Sequence, residues 1–187
     1  MEVQPSQITD KTGKNYTLQS AHTEDAAELM AFVEQAAEES PYFPWSREGC
    51  PKLWENTVGY INTFLTAQRY ALLLLRDGEN IIGLIELNGF GDKPEYRHRC
   101  TPAPGLIKSY WGRGLVHSMW KAIEELAVSL GYEQIEGSID SGNLPCRRAV
   151  EKNGWKVFGV LPKYYKAPDG SYRDKYLVLK RLTEDRE

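Results

Sequence analysis

The run of apolar and polar side chains divides this chain into short strands and amphipathic helices. Residues 16–20 read as a short strand, after which Thr23 stands as an N-cap ahead of acidic Glu24 and Asp25. Ala26, Leu29, Met30, Val33, Ala36 and Ala37 then recur at helical spacing until Ser40 and Pro41. Residues 41–51 hold three prolines and the aromatics Tyr42, Phe43 and Trp45, which excludes regular structure and predicts a loop with apolar cargo. A second helix is predicted where Trp54, Val58, Ile61 and Leu65 fall four, three and four apart. Residues 69–76 and 80–90 are rich in Leu and Ile, and Asp77-Gly78 between them signals a hairpin. A polar loop around Gly91-Asp92-Lys93-Pro94 leads to an extended stretch ending at Lys108. The strongest helix follows, with Leu115, Met119, Ile123, Leu126 and Leu130 on one face and Gly131 closing it. Residues 132–139 read as a strand, then a turn and a short helix with Pro145 in its first turn, ending before Gly154. Residues 155–160 and 172–179 are the last strands, joined through a loop containing Ala167-Pro168-Asp169-Gly170.

No repeat or linker interrupts this order, and 187 residues at roughly 150 per domain predict one α/β domain over 1–187. Residues 1–14 are read as a flexible or additional N-terminal segment. A hydrophobic share of 41% with 26% charged residues argues against wholesale disorder. The longest apolar run, residues 70–75, is far short of the roughly 18 to 20 that span a membrane, so no membrane partner is expected. The first residues lack a basic start and an apolar stretch, so no secretory signal is expected. Cys50, Cys100 and Cys146 match neither a disulfide framework nor a metal-ligand spacing; free thiols, no metal and a cytoplasmic home are expected.

Charge changes the picture locally. The net charge is -3, yet residues 147–181 carry 10 basic against 3 acidic side chains. With an acidic total and no recognition motif, this favours a specific phosphorylated ligand over nucleic acid. Trp111-Gly112-Arg113-Gly114, between a strand and a helix, is a device for such a ligand. Helix-start amides have no internal partner and sit at the positive end of the dipole, and glycine leaves them unshielded. A plain strand-to-helix turn is the other reading of the same residues. A dinucleotide fingerprint is excluded because Leu115-Val116-His117 follows without the third glycine, and a P-loop because no Gly-Lys-Ser/Thr is present.

Ser109-Tyr110-Trp111-Gly112-Arg113-Gly114 resembles the Gln/Arg-x-x-Gly-x-Gly/Ala helix start of the GNAT N-acetyltransferase superfamily, with serine in the first place. About thirty residues on, residues 143–155 resemble that family's Asn-x-x-Ser/Ala, Glu-Lys, Gly-Phe helix: Asn143, Cys146, Glu151-Lys152 and Gly154-Trp155 occupy those places. The tail, with Gly159-Val160-Leu161 and residues 169–176, is similar to the branch of ribosomal-protein alanine and small-amine or antibiotic acetyltransferases. The resemblance covers about residues 103–180. It implies a single-domain GNAT-like fold: a mixed, mostly antiparallel twisted sheet flanked by about four helices. It implies acetyl-CoA as donor, a primary amine of a small molecule or a protein N-terminus as acceptor, and direct transfer with no further cofactor. A homodimer is an assembly the family admits.

The resemblance also assigns roles. Amides of Trp111, Gly112, Arg113, Gly114 and Leu115 would hold the diphosphate of CoA, with Arg113 the side chain nearest a phosphate. The strand through Leu106, Ile107 and Lys108 would splay and pair with the pantetheine amides, and its end would offer an amide to the thioester oxygen. Asn143 would bond the pantetheine arm or cap its own helix. The tyrosine that often precedes Glu-Lys and meets the leaving thiolate is Val150 here, and Cys146, a weak donor, is a CoA contact and a candidate catalyst or simply a small buried residue. Glu86, a carboxylate inside the apolar strand 81–87, is the candidate base, with solvated edge charge as its other reading and His98 in reserve. Aromatics of the 41–51 loop would line an acceptor cleft or join the core. A non-catalytic acyl-CoA-binding or partner-binding module with the same fold is the alternative function.

Overall fold

The chain builds eight strands: β1 (Ser6–Thr9), β2 (Asn15–Ser20), β3 (Ala71–Asp77), β4 (Asn80–Gly89), β5 (Arg99–Leu106), β6 (Gln134–Asp140), β7 (Lys156–Lys166) and β8 (Tyr172–Arg181). Among the described residues there are five helices, α1 (Ala26–Glu39), α2 (Pro51–Glu55), α3 (Thr57–Thr66), α4 (Leu115–Ser129) and α5 (Leu144–Lys152). This computed structural model describes residues 1–91, 93–167 and 169–183; Asp92 and Pro168, expected in loops, lie outside them.

The strands form one sheet in the order β1-β2-β3-β4-β5-β6-β8-β7, antiparallel except between β5 and β6. The Asp77-Gly78 signal is a two-residue turn in which Asp77 faces Asn80 and Gly78 adopts φ 60°, a conformation that favours glycine. β3 and β4 form the centre: residues 71–75 and 81–85 are buried on both faces, which is why these segments lack polar alternation. α1 and α3 pack together on one face, while α4 lies with α5 and contributes the buried stripe Leu115, Met119, Ile123 and Ala127. No helix among the described residues is long and apolar enough to cross a membrane.

Several local expectations change. The Asp25 carboxylate accepts from the His22 amide at 2.7 Å, so residues 23–25 wind as a tighter 3₁₀ turn and α1 begins at Ala26, not behind a Thr23 cap. The single helix expected over Trp54 to Leu65 is two, because the Asn56 side chain accepts from the Gly59 amide at 2.8 Å and starts a new helix. The buried face is then Leu53, Ile61 and Phe64, whereas Val58 is exposed. β1 pairs with β2 from Ser6↔Leu18 to Thr9↔Asn15 and lies within the residues read as a flexible or additional segment, for which no strand was expected.

Candidate functional site

The feature that shapes the site is a parting of the sheet. β5 and β6 pair only at Arg99↔Gln134 and Cys100↔Ile135, so beyond Cys100 a gap opens between them. The direction of β5 follows from its other neighbour. Phe90 N donates to Arg99 O at 3.3 Å and Ile107 N to Ile82 O at 3.1 Å, and the β4–β5 register between these bonds has no irregularity. Residues 99, 101, 103, 105 and 107 therefore turn their backbone groups to β4, and residues 100, 102, 104 and 106 turn theirs to the gap. Two of those gap positions are Pro102 and Pro104, which have no N–H. Past the last paired residue, the edge offers carbonyls and one amide, that of Leu106. The Leu106 carbonyl already accepts from Trp111 Nε1 at 2.8 Å.

The strand ends at Leu106, so Lys108 is not on it as expected: Lys108 opens a 3₁₀ turn, Lys108–Tyr110. The amides of Ile107 and Lys108 are also engaged, on Ile82 O and on a Glu39 carboxylate oxygen. Trp111 is corrected too, since its amide donates to Lys108 O at 3.0 Å. The amides of Gly112, Arg113, Gly114, Leu115 and Val116 have no acceptor among the described residues. Gly112 and Gly114 make this possible by adopting φ 73° and 87°, where a side chain is strained. The Arg113 guanidinium stacks 4.5 Å over the Tyr110 ring and donates to Ser109 O at 3.1 Å and to the Tyr16 hydroxyl at 3.5 Å.

α5 stands across the gap. The Asn143 side-chain carbonyl caps it, accepting from the Cys146 amide at 3.2 Å, and the side-chain nitrogen Nδ2 of Asn143 has no partner among the described residues. Both readings of Asn143 thus fit one side chain, its oxygen serving the helix and its nitrogen left to donate. Burial pushes the Cys146 thiol up to about 11, so at neutral pH it stays protonated, which argues against a nucleophilic role. Val150 is buried, and Arg147 pairs with Glu151 along the helix.

On the other face of the sheet Glu86 stands opposite Ala103. It is not a solvated edge charge: Oε2 accepts from Trp45 Nε1 at 2.8 Å and from the Tyr60 hydroxyl, and Oε1 accepts from Asn88 Nδ2. No cation pairs with it among the described residues, and Oε1 keeps one acceptor position. Burial, with Glu86 beside it, pushes the Tyr60 phenol well above its usual range, so that hydroxyl remains a donor. Phe43 and Trp45 are core residues rather than exposed cleft aromatics. They lie on Gly105, where a Cβ would come within 2.7 Å of Phe43 and 2.9 Å of Trp45. Tyr42 of the same loop reaches the far side, its hydroxyl 2.7 Å from where a Gly142 Cβ would stand. One loop therefore packs against both β5 and the turn after β6. His98 lies in the loop before β5, at the closed end of the gap, and His117 is exposed on α4.

Asn88 was legible, because residue i+2 on a strand shares a face with residue i. Trp45 and Tyr60 carry no sequence signal linking them to Glu86. Only folding brings them there.

The family model of the acetyltransferase (GNAT) domain matches residues 15–156. The chain belongs to the GNAT acetyltransferase family. Comparison with curated proteins gives no match. Among solved structures, a GNAT-family acetyltransferase from Streptococcus pneumoniae is similar at TM-score 0.80 and 21% identity, over 89% of this chain and 99% of that one. A GNAT phosphinothricin acetyltransferase from Sinorhizobium meliloti, solved in complex with AcCoA, gives 0.75 and 18%, over 91% and 90%. A ribosomal-protein-S5-alanine acetyltransferase from Vibrio fischeri gives 0.76 and 15%, over 97% and 100%. At these identities the likeness is one of fold: this GNAT chain has the family's single α/β domain with a mostly antiparallel sheet.

Proposed function

We propose that this protein is an acetyl-CoA-dependent N-acetyltransferase acting on a primary amine of a small molecule or a protein N-terminus. The observation that carries the reading is the set of five adjacent amides, Gly112 to Val116, without acceptors, at a helix start beside a parted strand. These residues fit the donor. The amides suit a diphosphate, the gap suits the pantetheine arm, and the Asn143 nitrogen and the Pro104 carbonyl supply a donor and an acceptor along it.

An aliphatic amine is protonated at neutral pH. Glu86 takes one proton at Oε1, and the freed nitrogen forms its bond to the thioester carbon. The C–S bond breaks, and the second nitrogen proton goes to the departing sulfur, so the products are the amide, the free thiol and one proton held by the protein. The Leu106 amide is the main-chain donor available to the carbonyl oxygen as it gains charge. Cys146 is too weak an acid to protonate the sulfur and serves as a contact, and its raised thiol pKa favours direct transfer over an acyl-enzyme formed on it.

Two observations favour the alternative, a non-catalytic acyl-CoA-binding module: Pro102 and Pro104 strip the gap edge of amides, and Val150 stands where the resemblance places a proton donor. Thiol release from acetyl-CoA, measured across polyamines, aminoglycosides, amino acids and N-terminal peptides, separates the two. Release with an acetylated product supports the enzyme; binding of acetyl-CoA with no release from any amine supports the module.

A further inference from the structure

The N-terminal hairpin does more than extend the sheet. Its turn is fixed from within by Asp10, a buried carboxylate. Asp10 Oδ1 accepts from Thr12 N at 2.8 Å, Thr12 Oγ1 at 2.6 Å and Lys14 N at 3.1 Å, and Oδ2 accepts from the Tyr16 hydroxyl at 3.0 Å. The outer side of this closed turn lies on the glycine loop. Lys11 N donates to Arg113 O at 2.9 Å, and the Lys11 ammonium donates to Gly112 O. Ser118 Oγ donates to Thr9 O at 3.1 Å, and a Cβ on Gly114 would stand 3.7 Å from Lys11 Cβ. Segments about a hundred residues apart in sequence are thus joined at the loop.

The cations around the loop are not equivalent. Arg113 stacks on Tyr110 and gives one donor to Ser109 O and one to the Tyr16 hydroxyl, and Lys14 is paired with Asp77. Lys11 is exposed and has no carboxylate partner among the described residues. Its ammonium has three donors, of which Gly112 O takes one, and it stands on the residue that begins the run of unpartnered amides.

We infer that Lys11 is a phosphate-binding residue of the acyl-donor site, its ammonium meeting a diphosphate oxygen held by the Gly112–Val116 amides, with the β1–β2 turn as the element that presents it. The inference rests on the reading of this loop as the seat of the CoA diphosphate. An ammonium fixed by its own backbone to the loop reaches an anion there without ordering a free side chain, which strengthens a charge-assisted bond.

The test is calorimetric titration of the full chain with acetyl-CoA and with its 3′-dephospho analogue, at two salt concentrations. Lys11→Met is expected to weaken both ligands equally, by about tenfold, as befits one charge-assisted hydrogen bond. Affinity of the variant should fall less with salt than that of the native chain, while Lys11→Arg keeps affinity within roughly threefold by preserving the charge. Unchanged affinity in Lys11→Met overturns the inference alone. Equal loss with an unchanged salt dependence also overturns it, since Lys11 would then only support the loop through Gly112. A loss confined to the 3′-phosphorylated ligand overturns the diphosphate assignment. A native chain that binds neither ligand overturns the donor-site reading itself.

Discussion

Glu86 illustrates what a single residue can and cannot disclose. A carboxylate in an otherwise apolar strand is costly unless it is partnered, so its placement was a legible anomaly. Its partners were not, because Trp45 and Tyr60 come from a loop and a helix elsewhere in the chain. Glu86→Gln keeps the size of the side chain while removing the proton acceptor, its oxygen able to keep Trp45 and Tyr60 as donors while its NH2 takes the place facing Asn88, whose side-chain amide can turn its oxygen toward it. A fall in kcat of about a hundredfold or more is expected, with acetyl-CoA affinity unchanged in calorimetry. Pro104 gives the opposite prediction. Pro104→Ala restores an amide on the gap edge, and if that edge holds the thioester oxygen, kcat at saturating donor should rise by roughly tenfold in the thiol-release assay. An equal kcat would show that Leu106 alone suffices, and a lower one that the proline itself keeps the edge in place.

At the scale of elements, side chains that bond their own backbone decide where structure begins and ends. Asn56 splits one predicted helix into two by capping the second; Asn56→Ala should lower stability by about 1 kcal/mol in denaturant melts, the usual loss of an N-cap. In the β1–β2 turn, hydrogen bonds led by that from the Thr12 side chain hold the Asp10 carboxyl down to about 2. The folded value lies below the usual value near 4, so this support is fully present above about pH 4 and is lost as pH falls through about 2. The Thr12 and Lys14 amide resonances of the folded chain should therefore shift together with a midpoint near pH 2, and Asp10→Asn should abolish that titration. Helix periodicity marked α4 and its Gly131 stop, while β1 was missed. A four-residue edge strand has too few positions for alternation to register, and its turn is stabilised by a carboxylate whose partners lie two to six residues on.

For the molecule as a whole, the hairpin, the amphipathic helices α1, α4 and α5 and the glycine loop follow from local order in the sequence, and with them the mixed sheet and the family. Periodicity and turn residues act over a few positions, so they are written in consecutive residues. Which groups face the gap was decided by tertiary structure. The parity of β5 depends on its register with β4, and that register turns Pro102 and Pro104, rather than Ala103 and Gly105, toward the opening. The burial of Phe43 and Trp45, the donors on Glu86 and the seat of Lys11 on Gly112 likewise join residues far apart in sequence. Sequence alone determined which chemical groups this protein owns and the elements that carry them. The fold decided which of those groups remain without partners, because a hydrogen bond is satisfied by whatever lies nearest in space, however distant along the chain.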